Sequence, residues 1–318
     1  MELITNKIFL EHDTGNHPEN KSRLLCYPAI QEKPIPNGEQ YLELIHPREY
    51  LQFVKDVCGR GQSFDQDTVT SPGTWAAATA AAAAAVMASE SNDFALVRPP
   101  GHHAYRMRPS GFCIFNNIAI ATEYQRRQGK KVFILDFDGH WGDGTADIFL
   151  EDNDVLYTSL HQFPAFPGGG WAEEIGSGKG KGYSVNVPLP VASGDDVFFK
   201  GLDVILQAAR AFDPDVVAVS AGFDAHQADP LLELNLSTKA YYRVGELLRN
   251  NFPNVFAVLE GGYNVKVLSS CIDNFLAGIN GRSAIGGEQP THSTALVQEE
   301  FERRISRLLS AHKGFKLL

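Results

Sequence analysis

Short apolar runs that end in polar or glycine-rich sequence recur along the chain, and they constrain its fold more than any other feature. They cover residues 94–97, 132–135, 155–160, 216–220 and 255–259. Helical patterns lie between several of them, at residues 117–128, 196–212 and 237–250. Apolar strands that alternate with helices are typical of a parallel sheet covered on both faces. The sequence therefore predicts an α/β fold with three layers, α/β/α, and a mostly parallel sheet.

No composition shift, Ser/Gly linker or internal repeat divides the 318 residues. The alanine-rich segment 74–88 predicts a closely packed helix, because alanine has the highest helix propensity and a small side chain. We therefore expect one catalytic domain over residues 1–285. Residues 286–318 are predicted to form a C-terminal tail with a helix at 295–312, which packs on the domain or on a second subunit. A homo-oligomer is compatible with either arrangement.

The charge of the chain excludes some partners. It carries 28 Lys and Arg residues against 38 Asp and Glu residues, for a formal net charge of -10. An acidic chain lacks the positive field that nonspecific nucleic-acid binding requires, so we expect no direct nucleic-acid partner. No apolar run approaches the ~20 residues that span a bilayer, and residues 1–13 lack the pattern of a signal peptide. We expect a cytoplasmic protein without membrane contact, and its four cysteines, which form no CxxC pair, are expected to be reduced.

Acidic and histidine side chains follow two of the predicted strands. Asp138 and His140 come after residues 132–135, and Asp224 comes after residues 216–220. Chemistry in an open parallel sheet collects beyond the carboxyl ends of the strands, so these side chains can meet. A turn-capping acid and a packed histidine would explain the first pair alone, but a third acid at another strand end favours a metal site. Two carboxylates and one imidazole leave a coordination position open, as in a catalytic centre. Weaker ligand candidates are Asp229, His226 and Glu260.

Two further strand ends carry groups that could assist a metal-dependent hydrolysis. Residues 94–97 are followed by an Arg-Pro-Pro-Gly segment and then by His102 and His103. Histidine is the side chain best suited to move protons near neutral pH. Residues 255–259 are followed by Glu-Gly-Gly and Tyr263, whose phenol could donate a hydrogen bond to a developing oxyanion. Adjacent histidines and loop tyrosines also occur without a function, so the combined pattern carries the argument.

These residues belong to sequence blocks that occur together and in order. The blocks are Arg98-Pro-Pro-Gly-His-His103, Gly111-Phe-Cys-Ile-Phe-Asn-Asn117, Asp136-x-Asp-x-His-x-x-Gly-Asp-Gly-Thr145, Ser220-Ala-Gly-Phe-Asp224 and Leu259-Glu-Gly-Gly-Tyr-Asn264. From about residue 17 to about residue 284, the chain resembles the zinc-dependent histone deacetylase family. It looks most similar to the class II branch with its bacterial and archaeal relatives, which include acetylpolyamine amidohydrolases. The resemblance implies an arginase/deacetylase-like form of the three-layer fold.

The resemblance also implies roles for the residues at the strand ends. Asp138, His140 and Asp224 match the ligands of one catalytic Zn²⁺ ion, in agreement with the argument from the strands. His102 and His103 match the tandem histidines of the family. His103 stands at the position of the general base, which later becomes the general acid.

Further residues gain roles only through the resemblance. Asp136 and Asp143 match the acids that orient the first and the second histidine, and Tyr263 matches the tyrosine that polarises the acetyl carbonyl. Trp141 stands where most relatives have a second histidine, which is expected to change the packing behind the metal. A K⁺ ion next to the catalytic metal is a further implied cofactor. Its predicted ligands are backbone oxygens of Asp136, Asp138, His140, Ser159 and Leu160.

The walls of the substrate site are carried over in the same way. Phe112 and Phe166 match the two aromatic residues that flank the acyl-lysine stem in the family, and Gly262 is assigned to the same tunnel. Leu231 occupies a position where relatives that prefer polyamines can carry a glutamate. The loop at residues 162–168 is shorter than in many relatives, so we expect a reshaped rim beside Phe166.

The predicted reaction is the hydrolysis of an acetylated amine by metal-activated water. The favoured substrate is N-acetyl-lysine in a protein or peptide, because Leu231 offers no carboxylate to a polyamine. The alternative within the same chemistry is an acetylated polyamine or another small amide. An arginase-like hydrolase with two manganese ions, and an inactive module that binds acylated ligands, are alternatives that fit the histidine and tyrosine segments less well.

Overall fold

Seven strands form a single parallel sheet through the middle of the molecule. The computed structural model describes residues 1–27 and 31–318. The strands are β1 Leu3–Ile4, β2 Phe94–Ala95, β3 Val132–Asp136, β4 Val155–Gln162, β5 Ser184–Leu189, β6 Val216–Ala221 and β7 Val255–Leu259. They pair in the order β1-β2-β7-β6-β3-β4-β5, and each pair is parallel. The predicted α/β class with a mostly parallel sheet is confirmed.

Helices cover both faces of this sheet. They are α1 Ser22–Leu25, α2 Glu39–Leu42, α3 Arg48–Gly59, α4 Thr74–Ser91, α5 Asn117–Arg126, α6 Asp143–Ile148, α7 Asp195–Phe212, α8 Thr238–Asn251, α9 Leu268–Ile279 and α10 Ala295–Ala311, with 3-10 turns at Lys7–Glu11 and Gly178–Gly180. From β1 to β5, each strand lies farther toward one edge of the sheet than the strand before it. Strands β6 and β7 then run back toward the other edge and lie between β3 and β2. Connections between parallel strands are right-handed, so helices α4 to α6 lie on one face of the sheet and helices α7 and α8 lie on the other. Helix α9 packs on α8. This is the predicted three-layer arrangement.

The predicted strands differ from the observed ones mainly at the edges of the sheet. The interior strands β3, β4, β6 and β7 are fully buried and match the predicted apolar runs closely. The run at 94–97 forms a strand of only two residues. The edge strands β1 and β5 escaped prediction. Strand β5 reads Ser-Val-Asn-Val-Pro-Leu, and its Pro188 lacks the N–H that an interior strand would need.

The small side chains of the alanine-rich helix α4 let it pack closely against several neighbouring elements. It is buried on nearly every side, from Ala77 to Ala88. It contacts helix α5, strands β2 and β7 and the 3-10 turn at Lys7–Glu11. Alanine leaves room for several close neighbours, so the low complexity of this segment serves packing.

The C-terminal helix α10 packs on the domain itself, against β5 and α7. Phe301 and Leu308 are buried in this contact, whereas Leu296 is exposed. The tail therefore contacts its own chain, while a contact with a second subunit and a homo-oligomer stay predictions. All four cysteines are free. Among residues 1–27 and 31–318, no helix is both long enough and apolar enough to cross a membrane.

Candidate metal centre

The strand order brings the predicted metal ligands together. Strands β3 and β6 are neighbours, with Asp136 paired to Ser220, so the segments that follow them meet at the same edge. Asp138, His140 and Asp224 each offer a ligand atom there, and these atoms lie within 4.8 Å of one another. His140 Nδ1 lies 2.9 Å from Asp224 Oδ2 and 3.3 Å from Asp138 Oδ1.

Backbone amides hold the two carboxylates in place. Asp138 Oδ2 accepts a hydrogen bond from Gly261 N at 2.7 Å, and Asp224 Oδ1 accepts one from Gly139 N at 2.7 Å. A Cβ at position 261 would lie 2.6 Å from Asp138 Oδ2 and would overlap Asp224. Position 261 therefore requires glycine, because the backbone must approach both carboxylates closely.

The electrostatics of the cluster fit a bound cation. Asp138 and Asp224 are both buried and both face the His140 ring. Burial alone would lower the pKa of His140, but Asp224 and Asp138 outweigh it and raise the pKa to about 10. A proton on His140 thus balances the carboxylates in the absence of a metal. A divalent ion held by Nδ1 and the carboxylate oxygens would take over that balance, and three protein ligands would leave a position open for water or substrate.

The paired histidines lie beside this cluster, in a segment that we name the histidine loop (residues 98–105). His102 Nδ1 lies 3.1 Å from Asp136 Oδ2, and His103 Nδ1 lies 2.7 Å from Asp143 Oδ1. Because a carboxylate only accepts hydrogen bonds, Nδ1 of His103 carries the proton, and Nε2 is left as an acceptor. The structure thus places Asp136 and Asp143 where the resemblance predicted the orienting acids.

The two histidines differ in their preferred protonation state. Burial and the neighbouring His102 lower the pKa of His103 to about 4, so its ring is neutral at pH 7. Burial opposes protonation of His102, but Asp138 and Asp136 outweigh it and raise its pKa well above the ordinary value. Neighbouring groups whose pKa values are pushed apart are typical of acid/base sites. His103 is the ring able to accept a proton.

A cavity of about 160 Å³ opens beside His103 and His140. Its lining residues are Asp67, His103, Gly111, Phe112, His140, Phe166, Leu231 and Tyr263. The ring of Phe112 packs edge-on against Tyr263 at 5.6 Å, and the ring of Phe166 packs edge-on against His103 at 5.1 Å. A larger cleft, of about 600 Å³, lies between α7 and α8, away from the metal cluster. The smaller cavity is therefore the candidate active site.

Phe166 belongs to the segment after β4, which we name the Phe166 loop (residues 163–171). The Phe166 side chain is 52% exposed at the cavity mouth, and Leu231 is 38% exposed. Trp141 lies under this loop, and a Cβ at Gly169 would collide with its ring. The indole of Trp141 thus contacts the Phe166 loop closely, and a change of packing relative to other family members stays a prediction.

Two other predictions from the resemblance fit the structure less directly. Gly262, whose place in the tunnel stays a prediction, turns its carbonyl to Arg23, whose Nε donates to it at 2.7 Å. Its φ of +111° is accessible mainly to glycine, so its role is to turn the backbone just before Tyr263. The K⁺ site stays a prediction. Its proposed ligands Asp136 and Ser159 are paired across β3 and β4, so their backbones lie side by side.

The weaker ligand candidates hold loops. Glu260 Oε2 accepts hydrogen bonds from the N–H groups of Gly101 and His102, at 2.7 and 3.1 Å. Asp229 Oδ2 accepts one from Tyr263 N at 2.7 Å. These two carboxylates position the histidine loop and the segment that carries Tyr263. His226 is 3.2 Å from Glu288 and lies outside the cluster.

Sequence reasoning assigned no role to three residues at this site. Asp67 is an exposed carboxylate in the cavity lining. Tyr105 OH donates to Asp143 Oδ2 at 2.8 Å, so Asp143 is held on both sides. Arg23 donates to the carbonyls of Glu260 and Gly262, at 2.5 and 2.7 Å. Tyr105 directly follows the His-His-Ala motif, but distant segments bring Asp67 and Arg23 into place, so spacing could not reveal them.

Comparisons with known proteins agree with this geometry. A family model described as histone deacetylase domain matches residues 15–279. A probable deacetylase from Archaeoglobus fulgidus is 36% identical over 295 residues, which cover 83% of this chain and 81% of the relative.

Two solved structures are also similar to the chain. The HDA15 HD domain superposes with a TM-score of 0.88 at 30% identity, over 99% of this chain and 94% of that domain. An acetylpolyamine aminohydrolase from Burkholderia pseudomallei superposes with a TM-score of 0.81 at 27% identity. The match covers 89% of this chain and 100% of that protein. The names of these relatives include both deacetylases and polyamine hydrolases.

Proposed function

This chain belongs to the histone deacetylase domain family, whose members hydrolyse amide bonds. From this membership we propose that it removes the acetyl group from N-acetyl-lysine in proteins or peptides. One observation carries the proposal. The buried cluster of Asp138, His140 and Asp224 lies at a narrow cavity that also presents His103 and Tyr263. Such a site can bind a cation, a water molecule and an acyl group side by side.

The family is metal-dependent, and the donor set suits Zn²⁺. A divalent ion bound by Asp138, His140 and Asp224 would supply Lewis acidity toward the acyl oxygen and would lower the pKa of a water molecule. Other divalent ions also bind carboxylates and imidazole, so we propose zinc as the native metal on chemical grounds. The described residues offer one such group of ligands, which favours one catalytic ion over the two manganese ions of an arginase-like enzyme.

His103 is proposed as the proton-transfer group. Its neutral ring accepts a proton at Nε2 from the attacking water, while Nδ1–H donates to Asp143 and fixes the orientation of the ring. The protonated ring then delivers that proton to the leaving amine. His102, whose Nδ1 lies 3.1 Å from Asp136 Oδ2, is oriented beside the site by that acid.

Tyr263 is proposed as the oxyanion donor. Its ring forms part of the cavity wall next to Phe112. Burial raises the pKa of Tyr263 well above its ordinary value, so the phenol keeps its proton and can donate it in a hydrogen bond. Asp229 accepts from the backbone N–H of Tyr263 and thereby positions this segment.

The cavity walls favour an extended alkyl chain next to the amide. Phe112 and Phe166 present apolar rings, and Leu231 adds an apolar side chain where a polyamine hydrolase could carry a carboxylate. These contacts suit the methylene stem of lysine. One specific observation supports the second candidate, an acetylated polyamine: the exposed carboxylate of Asp67 at the cavity could bind a distal ammonium group.

The two substrates can be separated by direct comparison. The zinc-loaded protein is assayed with an acetyl-lysine peptide and with N8-acetylspermidine, and Asp67→Asn is assayed beside the wild type. We expect a higher kcat/KM for the peptide. A higher kcat/KM for the polyamine that is lost in Asp67→Asn would establish the second candidate instead.

A further inference from the structure

The C-terminal helix α10 lies outside residues 15–279, which match the family model, yet its Arg304 contacts the loop that carries Phe166. Arg304 Nη1 donates to the carbonyl of Phe163 at 2.9 Å and, more weakly, to that of Pro188 at 3.4 Å. Phe163 is the first residue of the Phe166 loop. Arg304 therefore connects the tail to the loop that forms one wall of the cavity.

The position of Arg304 is itself well defined. Its side chain is only 16% exposed, and Nε donates to Glu300 Oε1 at 2.9 Å on the same helix. The helix is anchored by the buried side chains of Phe301 and Leu308. A guanidinium group stays charged and presents several donors in one plane, so it can bind neighbouring carbonyls at once.

The far end of the Phe166 loop is also held. His161 Nε2 lies 3.0 Å from the carbonyl of Gly170, and the ring of Trp141 packs closely under Gly169. Glu174 accepts from the N–H of Trp171 at 3.2 Å. The loop is thus fastened after Gly168 and at Phe163.

The middle of the loop has much weaker support. Within the described residues, the backbones of Ala165 and Phe166 form no hydrogen bond. The Phe166 ring contacts the cavity through His103, at 5.1 Å, and through Gly111. Its position therefore depends on how firmly the two ends are held. Arg304 holds the Phe163 end by its carbonyl, beside the Phe163 N–H that donates to the carbonyl of Leu189 at 2.9 Å.

We propose that Arg304 is a positioning residue for the substrate tunnel. By fixing Phe163, the C-terminal helix keeps Phe166 against His103 and maintains the wall that binds the substrate's alkyl stem. This inference rests on the proposed function for its substrate, but the contact with the stem can be tested without turnover. Arg304 touches none of the reacting groups, so it acts on substrate binding and not on the chemical step.

Kinetics on the full-length, zinc-loaded protein test the proposal. In Arg304→Met, the hydrogen bonds from the guanidinium group to the carbonyls of Phe163 and Pro188 are lost, together with the one to Glu300. We expect KM for an acetyl-lysine peptide to rise about tenfold with kcat changed less than about threefold. Arg304→Lys keeps a donor and should recover part of the affinity. The control is Arg303→Met, because Arg303 pairs with the same Glu300 at 2.8 Å but is 60% exposed and makes no contact with the loop. An equal effect of both Met variants, or a loss confined to kcat, would overturn the proposal.

Binding of two hydroxamates separates the stem contact from the metal contact. Acetohydroxamate and octanohydroxamate share a metal-binding group, but only the second reaches the tunnel walls. In Arg304→Met, calorimetry should show weaker binding of octanohydroxamate, by about tenfold, and unchanged binding of acetohydroxamate. Equal changes for both compounds, or none, would contradict the role of Arg304. If the wild type hydrolysed no acetylated amine while this difference persisted, the proposed function would fail and the inference would stand.

Hydrogen exchange provides a readout that needs neither substrate nor metal. The amides of Gln162 and Phe163, which donate to the carbonyls of Gly139 and Leu189, should exchange faster in Arg304→Met than in the wild type or in Arg303→Met, while those of helix α4 should not change. Unchanged exchange in the loop would show that Arg304 does not hold it. Faster exchange throughout the protein would assign Arg304 a general stabilising role and would likewise overturn the proposal.

Discussion

The histidine loop and the Phe166 loop meet at the same cavity but are held in different ways. In the histidine loop, His102 and His103 are buried, and the backbone is bound by Glu260, Asn116 and Thr145. The Phe166 loop is fastened at its ends and exposes Phe166. The proposed reacting groups thus lie on a backbone that is bound along its length, as catalysis requires, whereas the proposed wall for the substrate stem is held only at its ends.

The histidine loop is stabilised by a buried ionic cluster. Glu19 pairs with Arg98 and Arg23, and all three side chains are buried. Arg23 in turn donates to the carbonyls of Glu260 and Gly262. The cluster therefore joins the N-terminal segment to the two strand ends that carry the histidines and the tyrosine. The Phe166 loop has no comparable support among the described residues.

The largest effect is expected at the metal ligands. Asp224→Asn removes one of two carboxylates, so zinc binding should weaken and kcat/KM should fall by about 10³ or more, the equivalent of several kcal/mol. Metal content and acetate release measure both results. The matched control is Asp229→Asn, a nearby buried acid that binds backbone amides. This control should keep its zinc, and loss of zinc from both variants would contradict the ligand assignment.

A smaller loss is expected at the oxyanion donor. Tyr263→Phe removes one hydroxyl group, and kcat should drop by about 10²–10³. Zinc content should stay that of the wild type, because the phenol is not a proposed ligand. Wild-type turnover by the zinc-loaded variant would remove Tyr263 from the mechanism.

The ionic cluster predicts a pH-dependent stability. Glu19→Gln leaves two buried guanidinium groups without their carboxylate, which should cost about 3–5 kcal/mol of unfolding free energy at pH 7. Burial would raise the pKa of Glu19, but Arg98 and His12 outweigh it and hold that pKa well below its ordinary value of 4.5. Its stabilisation is therefore present above pH 4.5 and is lost as the pH falls through the lowered pKa.

Urea unfolding of wild type and Glu19→Gln at pH 7 and at pH 3 measures this difference. The gap between the two proteins should shrink at the lower pH. Glu32→Gln is the control, because Glu32 pairs with Lys7 on the surface and should have little effect at either pH. A gap that is constant with pH would mean that the charge of Glu19 is not what stabilises the fold.

The smallest effect is expected in the Phe166 loop. Phe166→Ala removes apolar surface from the tunnel, so KM for an acetyl-lysine peptide should rise about tenfold while kcat stays near that of the wild type. Phe53→Ala is the control, since Phe53 is similarly exposed, at 48%, but lies on α3. A large fall in kcat for Phe166→Ala would mean that this loop also positions the reacting groups.

The sequence predicted the centre of the fold and of the site for the same physical reason. Strands β3, β6 and β7 are interior, so they read as continuous apolar runs, and parallel strands place their carboxyl ends at one edge. The residue pattern alone therefore predicts that the groups that follow these strands, such as Asp138, Asp224 and Tyr263, lie close together. The family resemblance added Asp136 and Asp143, for which the residues alone gave no role.

The sequence could not predict features that depend on contacts between distant segments or on irregular strand patterns. Strand β5 was missed because Ser184, Asn186 and Pro188 interrupt its apolar pattern. Gly262 was assigned to the tunnel, yet its carbonyl binds Arg23, 239 residues away in the chain. The contact of Arg304 with Phe163 spans 141 residues. No local pattern encodes such pairs, since tertiary packing alone creates them.

A metal titration tests the central claim most directly. Metal-depleted protein is supplied with increasing Zn²⁺, and acetate release from an acetyl-lysine peptide is measured at each step. We predict no release without metal and a linear rise that saturates at one Zn²⁺ per chain. Release by the metal-free protein, saturation at two ions per chain, or no release at any zinc level would contradict the account.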